Sequence, residues 1–224
     1  HPHIGLSTLT YLFEGHVMHR DTLGSHMEIN PGEVNWMTSG KGIVHSERTP
    51  EYLRHAGKTW HGLQIWVALP KHLEQMEPEF FHVSKDDIPT WEKDGASFKL
   101  IAGEAFGRKS PVPVYSPLFL LEVGLYILEG RVENEGNVHE PKRILVAKDS
   151  SLCHFEMYEN TTVYVFGGEA FAETRHIYWN FVSSDPELIE QAKRGWHEQK
   201  FPLIEGETDI VPLPPQAFGL RPKM

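Results

Sequence analysis

Cysteine is nearly absent: Cys153 is the sole thiol in 224 residues. One thiol cannot close an intramolecular disulfide, so the fold rests on its core and a reducing compartment is allowed. Long apolar runs are absent as well. None reaches the about 18–20 residues that a bilayer-crossing helix needs, and no signal peptide stands out. The expected location is the cytoplasm, or the nucleus if the source is eukaryotic. Positive charge is in deficit, with 21 Lys and Arg against 31 Asp and Glu and a formal net charge of −10. A broad nucleic-acid footprint needs a basic face, so no direct nucleic-acid binding is expected. An initiator methionine is also lacking, and residue 1 already sits inside a candidate motif; further strands of the first unit are expected upstream.

What is present is punctuation. Gly 19 and Pro 16 cut the chain into short segments. Leu9 to Phe13 is an apolar, β-prone run ended by Glu14-Gly15, and Val17 to His19 resumes after that turn. Asn30-Pro31-Gly32 and Ser39-Gly40-Lys41-Gly42 are turn signals on either side of a strand at Val34 to Met37. Ile43 to Glu47 and Leu63 to Leu69 read as further strands, while Lys71 to Phe80 allows at most about two helical turns between its prolines. Short strands with no helical period between them indicate a sandwich or barrel.

The tail differs. Ser184 or Asp185 can cap a helix with Pro186 in its first turn and Glu187 at the positive end of its dipole. Leu188, Ile189, Ala192 and Trp196 recur at helical spacing, and the helix is expected to end near His197. Val211-Pro212-Leu213-Pro214-Pro215 reads as an extended strap.

Self-similarity suggests two related units. Tyr11-Leu12-Phe13-Glu14-Gly15 resembles Tyr126-Ile127-Leu128-Glu129-Gly130, and the same offset lays Ser116-Pro117-Leu118 over His1-Pro2-His3. The proline stays and both histidines are gone. Ile101 to Phe106 echoes Phe166 to Phe171, read as the closing segments of the two units. His154-Phe155-Glu156 mimics His45-Ser46-Glu47 but has no histidine pair opposite it.

The chemistry sits in the first fifty residues. His1 and His3 are two apart, as are His45 and Glu47. Residues two apart on a strand share a face, so two neighbouring strands can aim three imidazoles and one carboxylate at one point. Such donors suit Fe, Mn, Ni, Cu or Zn better than Ca or Mg. Pro2 lacks an N–H and must lie at an edge, a bulge or a strand start. His16, His19, His26, His55, His61 and His72 are read as structural or solvated. Gln64 is polar within an apolar strand; pointing inward, it can hydrogen-bond a ligand or a metal-bound water, and pointing outward it is solvated.

These motifs resemble the cupin family and, within it, the pirins. His1, His3 and Gly15 match the first cupin motif; Pro31-Gly32, Gly42 and His45 match the second, and Glu47 matches its pirin extension. Tyr11 to Gly15, Trp36-Met37-Thr38, Gly40 to Glu47, Gly62 to Val67 and Gly167-Gly168-Glu169 are pirin-like too. The glutamate that many cupins carry after the histidine pair is missing around Ser7 and Thr8, leaving Glu47 as the carboxylate ligand. The resemblance implies an all-β fold of two tandem cupin-type antiparallel jelly-roll barrels with a C-terminal α-helix. The expected domains are 1–106, which binds metal, and 107–224, a degenerate cupin with the helix and tail. It implies iron, as Fe2+, on His1, His3, His45 and Glu47, with Mn, Ni, Cu and Zn also suited to the donors. The implied activity is that of a quercetin 2,3-dioxygenase, with Glu47 as base toward the 3-hydroxyl of a flavonol-like aromatic substrate. The alternative is a redox-sensitive regulator whose partner is a transcription factor or metabolic enzyme.

Overall fold

The computed structural model describes every residue except 57–59, 125–130, 135, 140–155, 159–160, 216 and 218–224. The repeat segment Tyr126 to Gly130, together with Cys153 and His154-Phe155, therefore lies outside the described residues. In chain order the strands are β1 Pro2–His3, β2 Leu6–Glu14, β3 Val17–Asp21, β4 His26–Ile29, β5 Val34–Thr38, β6 Ile43–Arg48, β7 His61–Ala68 and β8 Glu79–Val83. Then follow β9 Thr90–Lys93, β10 Ala96–Ala105, β11 Arg108–Lys109, β12 Leu118–Gly124, β13 Val132–Asn134, β14 Asn137–His139, β15 Glu156–Met157 and β16 Val163–Gly168. A short hairpin, β17 His176–Tyr178 and β18 Phe181–Ser183, leads into α1 Pro186–His197. The expected jelly-roll plan holds, built from open antiparallel sheets rather than closed barrels.

Two compact units form: residues 1–85 with 170–224, and residues 86–169. This division by contacts differs from a cut at 106/107. The C-terminal helix lies in the first unit because its apolar face packs on the backs of β1 and β6. Ile189, Ala192 and Trp196 form one cluster with Ile4, Val44, Phe181 and Ile204. Burying side chains of this size contributes roughly 1.5–3 kcal/mol each. The helix begins where its residues dictate: Asp185 accepts the Glu187 N–H at 2.9 Å, and Pro186 needs no N–H partner there. The strap is held by Trp196, whose indole N–H donates to the Val211 carbonyl at 2.9 Å.

The first unit has two sheets, in the orders β1-β6-β3-β4 and β7-β2-β5-β8. β2 is central in its sheet and buries Leu6, Leu9, Tyr11 and Leu12. β1 is an edge strand that starts at Pro2, as the missing N–H requires. The turn into β6 depends on Gly40. Its φ is +47°, and a Cβ there would lie 2.0 Å from the Met76 carbonyl oxygen. That same oxygen accepts the Lys41 N–H at 2.9 Å, which pins the start of the ligand strand. Lys71 to Phe80 forms a short 3-10 turn at Lys71–Leu73 and then enters β8, with no α-helix.

The second unit pairs β11-β10-β12-β16, with β9 on β10, and adds the small sheet β14-β13-β15. The echo segments Ile101 to Ala105 and Phe166 to Gly168 lie on opposite sides of β12: Gly103 pairs with Phe119, which in turn pairs with Gly167.

Candidate metal centre

β6 organises the site. Antiparallel partners share a face, and β6 has a partner on each side. On one side His3 opposes Ile43, and His45 exchanges backbone hydrogen bonds with His1, both at 3.0 Å. On the other, Asp21 opposes His45 and His19 opposes Glu47. His1, His3, His19, Asp21, His45 and Glu47 therefore project from one face of a three-stranded surface. Val44 points the opposite way, into the helix cluster. The alternation that buries the back of β6 under α1 is what aims its ligands inward.

The histidines converge. Ring centroids of His1 and His3 are 4.9 Å apart, those of His1 and His45 4.5 Å, and those of His3 and His45 4.9 Å. One nitrogen from each lies within 4.8 Å of the others. His3 and His45 are fully buried. Burial pushes the His3 imidazolium down to about 3. His45 is lowered as well, by burial first and then by His3 and His19. Both rings are thus neutral at neutral pH and carry free lone pairs.

These residues fit a transition-metal ion. The His3 and His45 Nε2 atoms are 3.0 Å apart, the spacing that two adjacent ligands at about 2.1 Å from one ion require, about 3 Å. The His45 Nδ1 atom is buried with no protein partner, a cost of roughly 1–3 kcal/mol in any buried polar atom left unpaired. His1 has its Nδ1 engaged by the Asn180 amide at 3.1 Å, which orients its ring.

Glu47 stands apart from that triad. It joins an overlapping group with His19 and His45, again within 4.8 Å. Its carboxylate is held by the other sheet: Thr10 Oγ1 donates to Oε1 at 2.9 Å and Gln64 Nε2 to Oε2 at 2.5 Å. Gln64 thus reaches Glu47 while itself remaining exposed. Trp66, two residues on, sets its ring edge-on to His3 at 5.3 Å and 89° while staying partly exposed. His26, His55, His61 and His72 are exposed. His19 is a buried structural residue: it pairs with Asp21 and stacks on Phe80 at 4.4 Å. The sequence signal for it is the alternation His19-Arg20-Asp21, which gains meaning only with the β3–β6 register.

An antiparallel jelly roll with a buried histidine cluster at the junction of its first strands defines a cupin-type protein. The comparisons give the particular family. The Pirin family model matches residues 1–67, and the model described as the Pirin C-terminal cupin domain matches residues 120–202. A pirin-like protein of Caulobacter vibrioides is 46% identical over 233 residues, covering 96% of this chain and 80% of that protein. The chain belongs to the pirin family. A crystal structure of quercetin 2,3-dioxygenase from Acinetobacter baumannii superposes with a TM-score of 0.83 at 31% identity, covering 100% of this chain and 79% of that one. A second such structure from the same organism gives 0.77 at 26% identity, covering 90% and 77%.

Proposed function

We propose that this chain is an iron-dependent dioxygenase that cleaves flavonol-type aromatic enols, with His1, His3 and His45 holding the metal and Glu47 beside it. The observation that carries the reading is the convergence of His1 with the buried, neutral His3 and His45 next to a carboxylate held off them by a separate sheet. Bound iron would supply Lewis acidity toward an enolate oxygen and a redox partner for dioxygen. The protein's own residues do the rest. Glu47 accepts the proton of the flavonol 3-hydroxyl. A carboxylate that ligates tightly is a poorer base, and the Thr10 and Gln64 hydrogen bonds hold Glu47 where it can serve without full ligation. The partly exposed Trp66 presents an aromatic surface beside His3 for a planar substrate. Full burial of His3 and His45 keeps bulk water from the donors. The likeness to the Acinetobacter baumannii quercetin 2,3-dioxygenase supports the same reaction class.

The reading places the metal in the 1–106 half and leaves 107–224 as a cupin in which Ser116 and Leu118 stand where the first half has its histidine pair. The test is loss of quercetin absorbance under oxygen by anaerobically iron-loaded protein, alongside Glu47→Gln. Turnover that needs iron and falls at least about 10²-fold in the variant, with iron retained, supports the assignment. Unchanged turnover in Glu47→Gln sinks the base role. Absence of turnover with iron bound favours the redox-regulator alternative.

A further inference from the structure

We infer that the interior of the second unit is a binding site for a small, uncharged, ring-containing molecule. Residues 86–169 form a compact unit of their own, and they line a cavity of about 520 Å3. No residue of the metal centre belongs to that unit. Small-molecule sites typically measure about 300–1,000 Å3. A well-packed interior leaves few voids larger than a water molecule, so a space of this size asks for an occupant.

Strand register builds the cavity. Phe98 and Val163 both oppose Val123, and Val165 opposes Leu121. Antiparallel partners share a face, so β10, β12 and β16 lay Phe98, Leu121, Val163 and Val165 on one wall. Met157 of β15 adds to the lining from another sheet. Phe119 opposes Gly167, and a Cβ on Gly167 would lie 3.1 Å from Phe119 Cε1. The Phe119 ring therefore occupies the place that a side chain at 167 would need. The mouth carries more aromatic surface. Phe106 lines the cavity yet is 66% exposed. Its φ is +51°, a conformation that a bulky residue seldom adopts. Its ring stands 6.0 Å from that of Phe98, which stacks on Trp91 at 5.3 Å and 8°.

The lining sets the chemistry of the ligand. Aromatic rings and the adaptable Met157 thioether suit a planar apolar body. Glu104 is the one ionisable group among the described lining residues, and its Oε1 lies 2.8 Å from Lys109 Nζ. A carboxylate has further lone pairs, so Glu104 can also accept a hydroxyl or amine proton from the ligand. An anion would face that carboxylate and find no donor on the apolar wall, which disfavours it.

The experiment is titration of the chelator-treated protein with N-phenyl-1-naphthylamine, a neutral fluorophore, read by fluorescence enhancement. Three forms are compared: unaltered, Val163→Trp and Phe106→Gly. The indole introduced at 163 fills the space. Glycine suits the positive φ at 106, so that variant keeps its fold, as circular dichroism checks for both. Saturable binding at one site per chain is expected. Val163→Trp is expected to weaken it at least about 10-fold and Phe106→Gly about 2–10-fold. Neutral 2-naphthol is expected to displace the probe at least about 10-fold more readily than anionic 2-naphthoate. Iron loading is expected to leave the dissociation constant unchanged, whether or not the iron protein turns over quercetin. Absence of saturable binding, or equal binding by all three forms, overturns the site. Equal displacement by 2-naphthoate overturns the ligand class. Loss of the probe on iron loading assigns it to the metal centre and overturns the inference as well.

Discussion

The two units use related jelly-roll plans to enclose opposite interiors. In the first, the face of β6 and its neighbours carries four histidines and two carboxylates. In the second, the described residues gather no group of three metal donors. They surround instead a cavity of about 520 Å3 walled by Phe98, Phe119, Leu121, Met157, Val163 and Val165, with Glu104 as its one ionisable lining group. Ser116-Pro117-Leu118 repeats the proline of His1-Pro2-His3 without its donors, and Leu118 enters β12 as an ordinary paired strand residue. The lesson is that the scaffold does not make the site. Backbone register supplies a surface on which alternate residues converge, and the identity of a few of those residues decides whether the interior holds an ion or apolar side chains.

The sharpest way to break the contrast is His45→Ala. It removes the residue shared by both donor groups and is expected to reduce bound iron from one per chain to trace and to abolish turnover; iron retained at one per chain would contradict the site. Glu47→Gln comes next, with turnover lowered at least about 10²-fold and iron content unchanged. A change in the second unit makes the converse point. Leu121→Ala opens space beside Leu100 in an apolar cluster and is expected to cost about 2–5 kcal/mol of stability, measured by denaturant unfolding, while iron stoichiometry stays at that of the unaltered protein. A smaller effect is expected from Asp185→Ala, which removes the α1 cap behind β6 and costs about 1 kcal/mol.

Acidity separates the units more gently. In metal-free protein, folded His3 takes up its proton only near pH 3, against the ordinary 6.5 of an exposed imidazole. Between those values the unfolded chain binds a proton that the folded chain refuses, so stability rises with pH there and levels off above about 6.5. Denaturant titrations of the chelator-treated protein at pH 5 and pH 7 check this. The expected result is the lower stability at pH 5, and His3→Ala is expected to reduce the difference.

Much of the first unit is legible from local pattern. Pro2 forces an edge or a strand start, Gly40 forces the turn before β6, and Asp185-Pro186 marks the first turn of α1. The spacing of His1 with His3, and of His45 with Glu47, puts each pair on one face because two-residue periodicity is a local property; that the two pairs meet depends on the pairing of β1 with β6. What depends on long-range pairing is not legible. His19 reads as one histidine among 14 until β3 is set against β6. The membership of α1 in the first unit follows from Ile4 bridging to Phe181, a contact that no local pattern announces. Strand β4 escapes notice because His26-Met27-Glu28-Ile29 alternates over only four residues and holds a single β-branched residue.

The most direct measurement is iron X-ray absorption on protein purified without oxygen. The expected spectrum shows one iron per chain with several imidazole nitrogens at about 2.1 Å, and that signal disappears in His45→Ala. Iron bound without imidazole scattering, or an unchanged spectrum in the variant, would contradict a centre built on His1, His3 and His45.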